Sequence, residues 1–362
     1  MDTGVDKAER TEYRCGAAGS TQKYSPKLRE MMDFEKTKIL KACIFLGLLK
    51  GGSLSDPASS DSNKLERLTY VTQIAQHHKI LHYDSSTGQI KINPDFDYLS
   101  CPDAQEVFLA LEELIYSRID AMWNGIHDFV DTGECQSEAR HSNTFYDGVY
   151  ANAVSANKFT RYMKAFSVPM AKSVFPILAQ RHISSIVDVG GHSGGFCFEL
   201  AKAFFTSNIN MPTFINLDLP PLRVPFEDSK RVNNDEIGSA VRFCSFDFFS
   251  DRPPAADVYV LGHILHNWSI NEQNLILSSI TSSMQAGTSL LVYDAIYNNE
   301  EHDESDGNFF ARFYDLQMRL ATPQGRSLSK TALVSCLRKK GLVLIDEFLG
   351  DVGLRVLLFE RQ

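Results

Sequence analysis

No stretch of this 362-residue chain approaches the ~20 consecutive apolar residues that a bilayer-spanning helix needs, so a membrane partner is not expected. The opening residues, MDTGVDKAERTEYRC, lack the apolar core of a secretory signal, and a cytoplasmic location is the expectation. Positive charge is in short supply: 36 Lys and Arg stand against 45 Asp and Glu, a net charge of -9. Backbone binding to nucleic acid needs clustered cations, and so acidic a chain is not expected to bind it. C-x-x-C pairs are missing. The seven cysteines, Cys15, Cys43, Cys101, Cys135, Cys197, Cys244 and Cys336, are scattered and odd in number, which speaks for reduced thiols rather than a disulfide framework. No cluster of His, Cys or carboxylates has metal-ligand spacing along the chain, and no metal is expected. What remains, with 43% hydrophobic and 22% charged residues, is an ordinary globular protein fitted to small-molecule chemistry.

The length exceeds one ordinary core and suggests two domains. Residues 1–25 are polar and aperiodic and read as a loose tail. Residues 26–140 read as a mainly helical, winged-helix-like domain. Apolar residues recur at helical spacing from Lys27 to Leu49 and again from Leu65 to Gln76, and KILHYDSSTGQIKINP then offers two short strands around a turn. Gln105 to Val130 reads as a long helix with one broad apolar stripe. The module is either a DNA reader or a scaffold reused for dimerisation. The segment that would enter a groove carries Glu66 and few cations, which favours the scaffold and a homodimer.

Residues 141–362 change pattern. Short runs rich in Val, Ile and Leu alternate with helical stretches: Ser185–Val189, Thr213–Leu217, Val241–Ser245, Asp257–Leu261 and Ser289–Tyr293, followed by Leu342–Phe348 and Gly353–Phe359. This alternation predicts an α/β fold, a Rossmann-like, mostly parallel sheet covered on both faces, with the last two strands as an antiparallel hairpin at its edge.

The first of these strands runs into a glycine-rich turn, Val187-Asp188-Val189-Gly190-Gly191-His192-Ser193-Gly194-Gly195. In a doubly wound sheet that turn is where a cofactor sits. A dinucleotide would require G-x-G-x-x-G, and here His192 occupies the second glycine position. Asp188 suits a cofactor carrying an ammonium group instead, as S-adenosylmethionine does. Asp218 ends the second strand roughly 20 to 30 residues after the turn, where a carboxylate can accept from both ribose hydroxyls; Leu219 follows it. The third strand leads to Asp247, placed for an adenine amino group, beside Phe248. Three acids at successive strand ends point to a nucleoside-type cofactor, S-adenosyl-L-methionine, held by Asp188, Gly190, Gly191, Gly194, Asp218, Leu219, Asp247 and Phe248.

The fourth strand ends in Gly262-His263-Ile264-Leu265-His266-Asn267-Trp268. With VDVGGHSGG, LDLPPL, FDFF, PPAADVYVLGHILHNW and LLVYDAIY in this order, the chain resembles the small-molecule O-methyltransferases related to caffeate O-methyltransferase, acetylserotonin O-methyltransferase and the bacterial aromatic-polyketide methyltransferases. The resemblance implies His266 as the general base toward a substrate hydroxyl, Asp294 as the acid that orients it, Trp268 against the adenine, and His263 as a supporting residue. It also moves Tyr162, Phe166, Tyr314 and Met318, which spacing alone would assign to a core, to the wall of a flat acceptor pocket. Three positions depart from the family pattern: Asn267 stands where many members have Asp, Ser327 where plant members have a second acid, and His192 in the glycine loop.

The implied activity is methyl transfer from S-adenosylmethionine to a hydroxyl of a small aromatic or heterocyclic acceptor. Two alternatives stay open. The same fold and cofactor can serve N-, C- or S-methylation or other chemistry, and a winged-helix regulator could sense a nucleoside metabolite.

Overall fold

The computed structural model describes residues 153–298, 306–322, 324–350 and 354–362 continuously, together with parts of residues 39–132. The chain divides into two compact units, residues 1–100 and 101–362.

In the first unit, helix α1 (Ser62–His77) precedes a hairpin of β2 (Leu81–Asp84) and β3 (Gln89–Ile92), and a short strand β1 (Gly52–Ser53) pairs with β3 on its other side. The hairpin closes where the sequence placed it. Asp84 Oδ1 accepts from Ser86 N–H at 2.9 Å, and Gly88 takes a left-handed φ of 68°, a conformation costly for other residues. The expected tail, and most of the expected helices at Lys27–Leu49 and Gln105–Val130, lie outside the described residues; of the latter, Ile126–Thr132 is helix α2.

Among the described residues the second unit is built on seven strands: β4 (Ser185–Val189), β5 (Thr213–Asp218), β6 (Val241–Ser245), β7 (Val258–Gly262), β8 (Ser289–Asp294), β9 (Leu342–Leu349) and β10 (Arg355–Arg361). Their order across the sheet is β6-β5-β4-β7-β8-β10-β9. All neighbouring pairs from β6 to β8 are parallel, whereas β10 runs antiparallel to both β8 and β9. The expected Rossmann-like sheet with a reversed last strand is therefore present, and the hairpin closes by slipping β10 inside β9.

Alternation along the strands explains why both faces are covered. Val258 and Val260 of β7, with Leu291 of β8 and Val356 of β10, enter one core, which contains Met170 and Val174 of α3 (Ala153–Leu178) and Phe196 and Leu200 of α4 (Gly195–Thr206). Tyr259, Leu261, Val292 and Leu357 enter the other, with Ile276 and Ile280 of α7 (Ile270–Ser283) and Leu333 of α9 (Lys330–Lys339). The first core also takes in Phe226 of α5 (Arg223–Arg231), Ile237 of α6 (Asp235–Ala240) and Tyr314 of α8 (Asp306–Ala321). Each fully buried aliphatic side chain contributes about 1.5–3 kcal/mol, and this double core holds the carboxyl ends of β4, β5, β7 and β8 along one edge. That edge carries the site.

Candidate active site

Local rules set each site residue. Strand β4 stops at Gly190, whose φ of 81° admits glycine with little strain, and Gly194 at φ 78° starts α4. Gly191 is required by space: a methyl group there would run into the Asn216 amide oxygen and the Asp188 carboxylate. His192, at φ 52°, occupies the left-handed region at some cost. Its backbone N–H donates to Asp218 Oδ2 at 2.8 Å, and Leu219 N–H donates to Asp218 Oδ1 at 2.7 Å. Asp218 is thus fastened to the glycine loop and caps no helix: the turn at Pro220–Leu222 has no side-chain cap.

Asp188 and Asp218 are costly as anions in this setting. Burial pushes the Asp188 carboxyl up to about 7; the Cys197 thiol, donating at 3.7 Å, opposes this and the nearby Asp218 charge adds to it. Burial likewise raises Asp218 to about 6, against the pull of the Leu219 and His192 N–H groups. Two buried carboxyls held above their ordinary range beside the glycine turn are groups that a cation or hydroxyl donors could satisfy. Asp247 has a local task as well, since its Oδ1 accepts from Phe249 N–H at 3.0 Å. Phe248 faces Gly190, with its ring 3.4 Å from the point where a Cβ would stand, and meets Trp268 edge-on at 6.1 Å. Phe249 also meets Trp268, at 5.0 Å. These rings make an apolar slot beside the glycine turn.

His266 lies on the short 3-10 turn Leu265–Asn267 that leaves β7. Its Nδ1 is 2.6 Å from Asp294 Oδ1, with His266 4% and Asp294 3% exposed. Burial would raise Asp294, but the charge and hydrogen bond of His266, with His263 and the Ala295 N–H, hold it below the usual carboxylate range. When His266 is neutral, an ionised Asp294 that accepts from Nδ1–H leaves Nε2 with the lone pair. The turn itself is pinned from behind by Gln273 of α7, whose Nε2 donates to Leu265 O, Trp268 O and Arg326 O, each at 2.9 Å. Ser269 and Glu272 form a capping box that starts α7, and so the S-x-x-E after Trp268 ends the loop sharply.

The four expected pocket residues do come together. Tyr162 and Phe166 of α3 meet at 5.1 Å, Tyr162 hydrogen-bonds Tyr314 of α8, and Tyr314 stands edge-on to His266 at 5.0 Å. Met318 is buried in the same cluster. Burial pushes the Tyr162 hydroxyl up to about 12, so it stays protonated.

The three departures acquire physical content. The Asn267 side-chain amide donates to His263 O and Ile264 O at 3.2 and 3.3 Å, bonds that an Asp could not make. Ser327 is buried with its Oγ unpartnered, while its N–H donates to Asp315 Oδ1 at 2.7 Å. The His192 ring packs edge-on against Phe159 at 5.6 Å, and burial lowers its pKa to about 4. Sequence reasoning missed Asn216 and Gln273. Asn216 is buried on β5, and its amide donates to His192 O at 3.0 Å. An Asn inside an apolar strand was a readable signal; nothing near Gln273 distinguishes it from a surface helix residue.

Comparison with known proteins agrees with this geometry. Residues 123–342 match the model of the O-methyltransferase domain family. The tetracenomycin polyketide synthesis 8-O-methyl transferase of Streptomyces glaucescens is 27% identical over 225 residues, covering 62% of this chain and 62% of that protein. The aclacinomycin 10-hydroxylase of Streptomyces purpurascens is 29% identical over 251 residues, 68% of this chain and 63% of its own length. The chain therefore spans somewhat under two thirds of these relatives. The human N-acetylserotonin methyltransferase, solved in complex with SAM, superposes with a TM-score of 0.69 at 18% identity, over 95% of this chain and 99% of that one, a likeness of fold. A family match over more than half the chain, on a sheet whose strand ends carry this site, places the protein in the O-methyltransferase domain family.

Proposed function

We propose that the chain transfers a methyl group from S-adenosylmethionine to a hydroxyl of a small aromatic or heterocyclic acceptor, with His266 as the general base. The observation that carries this reading is the buried 2.6 Å contact between His266 and Asp294 in the midst of Tyr162, Phe166, Tyr314 and Met318. The cofactor fits the residues at hand. Gly190 and Gly191 let the turn close where a Cβ would strike Ile264, Asn216 or Asp188, and beside that turn Asp188 meets an ammonium group, Asp218 with Leu219 meets the ribose, and Asp247, Phe248 and Trp268 bound the adenine. Gly194, the remaining glycine proposed for the cofactor, starts α4 where a Cβ would strike the Phe198 and Phe226 rings. When bound, S-adenosylmethionine supplies a methyl group on a sulfonium that is already a strong electrophile.

The chain's own work is alignment and proton removal. Nε2 of His266 takes the acceptor's hydroxyl proton, and the Asp294 carboxylate, accepting from Nδ1–H, stabilises the imidazolium that results. The aromatic walls hold a flat ring and exclude water. The hydroxylase named among the relatives, with the unpartnered Ser327, supports a second reading in which the same fold runs other chemistry. Incubation with S-adenosylmethionine and a panel of phenols, followed by mass spectrometry, separates the two: a product one methyl heavier supports transfer, and an oxygen-bearing product without it supports the alternative.

In this proposal residues 26–140 serve as a winged-helix-like dimerisation domain, with residues 141–362 as the catalytic part. The protein works in the cytoplasm as a homodimer, without nucleic acid or membrane as partners. The acidic charge supports the exclusion of nucleic acid, and no helix among the described residues is long and apolar enough to cross a membrane.

A further inference from the structure

His263 is used by none of the steps above, yet it is built in at some cost. It takes a left-handed φ of 56° at the end of β7, a conformation uncommon outside glycine. It is only 4% exposed, and its Nε2 is buried without a hydrogen-bond partner. The ring lies 5.2 Å from that of His266 and 4.7 Å from that of Phe166. An imidazole nitrogen sealed from water and left unpaired forfeits about 1–3 kcal/mol unless something else uses its lone pair.

Two further donors are within reach. One nitrogen each from His263 and His266 and one carboxylate oxygen of Asp294 lie within 4.8 Å of one another. Two imidazoles and a carboxylate on one side of a space are a ligand set for a divalent transition ion, with positions left over. Zinc takes His nitrogens at about 2.0–2.1 Å, so donors on one ion stand at most about 4.2 Å apart, and rotations of these side chains cover the difference. Sequence spacing concealed this set because Asp294 is 28 residues beyond His266.

We infer that His263, His266 and Asp294 form a binding site for a divalent transition ion, and that its occupancy switches methyl transfer off. The second half rests on the function proposed above. In its neutral form His266 carries one ring proton, which the facing Asp294 carboxylate favours on Nδ1. An ion bound at Nδ1 moves that proton to Nε2; an ion bound at Nε2 takes the lone pair directly. In both cases the atom that would accept the acceptor's proton is occupied, and no proton is gained or lost overall.

Cobalt(II) is the probe of choice because low-coordinate nitrogen and oxygen ligation gives visible absorption. Titrating it into tag-free full-length protein, in the absence of any acceptor, should give saturable bands at one ion per chain. The His263→Ala and Asp294→Asn variants should each bind cobalt at least about 100-fold more weakly, the upper range for losing even an outer-shell support, while S-adenosylhomocysteine binding by calorimetry reports that each variant is folded. Zinc at saturating concentration should abolish methyl transfer, and EDTA should restore it. Absence of stoichiometric cobalt binding in the wild type, or its survival in folded His263→Ala, overturns the site. Cobalt binding together with methyl transfer that ignores saturating zinc overturns the switch. Cobalt binding with no methyl transfer to any phenol upholds the ion site and counts against the function, so the two failures are distinguishable.

Discussion

Asp294 stays ionised although it is buried, because it receives the Ala295 N–H at 2.7 Å and the His266 ring at 2.6 Å. Loss of His266 should therefore lower the rate by about 100- to 10,000-fold, the range for general-base catalysis. His266→Ala should bind S-adenosylmethionine as the wild type does; near-normal turnover in that variant would refute the base. Asp188 and Asp218 behave in the opposite sense. Their carboxyls titrate near 7 and near 6, above the ~3.9 of an exposed Asp. A carboxyl raised in the folded state favours folding when protonated, so its contribution is full below about pH 4 and is lost as pH rises through 6 to 7. Cofactor-free protein should lose thermal stability across that window, and Asp188→Asn should flatten the loss. An ammonium ligand needs Asp188 ionised, and calorimetry should find S-adenosylmethionine binding tighter at about pH 8 than at about pH 5.5. An affinity independent of pH would remove Asp188 from the site. Asp218→Ala should weaken the same binding by about 1.5–3 kcal/mol, the scale of hydrogen bonds to a charged group.

Between residue and fold, the turn that follows β7 depends on Gln273. One side-chain nitrogen serves three carbonyls, from Leu265, Trp268 and Arg326. Gln273→Leu keeps the volume but leaves those carbonyls without their donor, and should cost about 1–3 kcal/mol of stability by denaturant titration. Methyl transfer should slow as well, because His266 and Trp268 sit on the loosened turn; a variant as stable as the wild type would show that the turn holds itself. The strands around it were legible to within one or two residues, since β4 and β7 are Val, Ile and Leu runs bounded by Gly and Pro. The Gly turn was legible for the same reason, since a left-handed φ at Gly190 and Gly194 restricts the residue type, and the acids were legible by their place at strand ends. His263 was only partly legible, as a neighbour of His266, because its unpaired nitrogen and positive φ exist only once β7 and β8 are side by side. Gln273 was not legible at all, since its three acceptors come from two distant parts of the chain.

For the molecule as a whole, the proposed dimer sets a concrete expectation. The apolar periodicity read over Lys27–Leu49 and Gln105–Val130 exceeds what a small wing-and-helix module can bury alone. Sedimentation at micromolar concentration should find two chains per particle. Removal of residues 1–100, the first compact unit, should give aggregates or monomers; a full-length chain that stays monomeric at high micromolar concentration contradicts the proposal.

The reversed strand β10 also imposes an order of events on synthesis. It is made after the other six strands, yet it lies between β8 and β9 and pairs with both. Until Arg355–Arg361 emerges from the ribosome, β8 is an open edge and β9 has no place in the sheet, and Asp294 stands at the end of that unfinished edge. Unpaired strand edges invite pairing with other chains. A reading-frame error or premature stop just before β10 would thus leave the cofactor turn intact in sequence and still yield an adhesive, unfinished sheet rather than a slower enzyme.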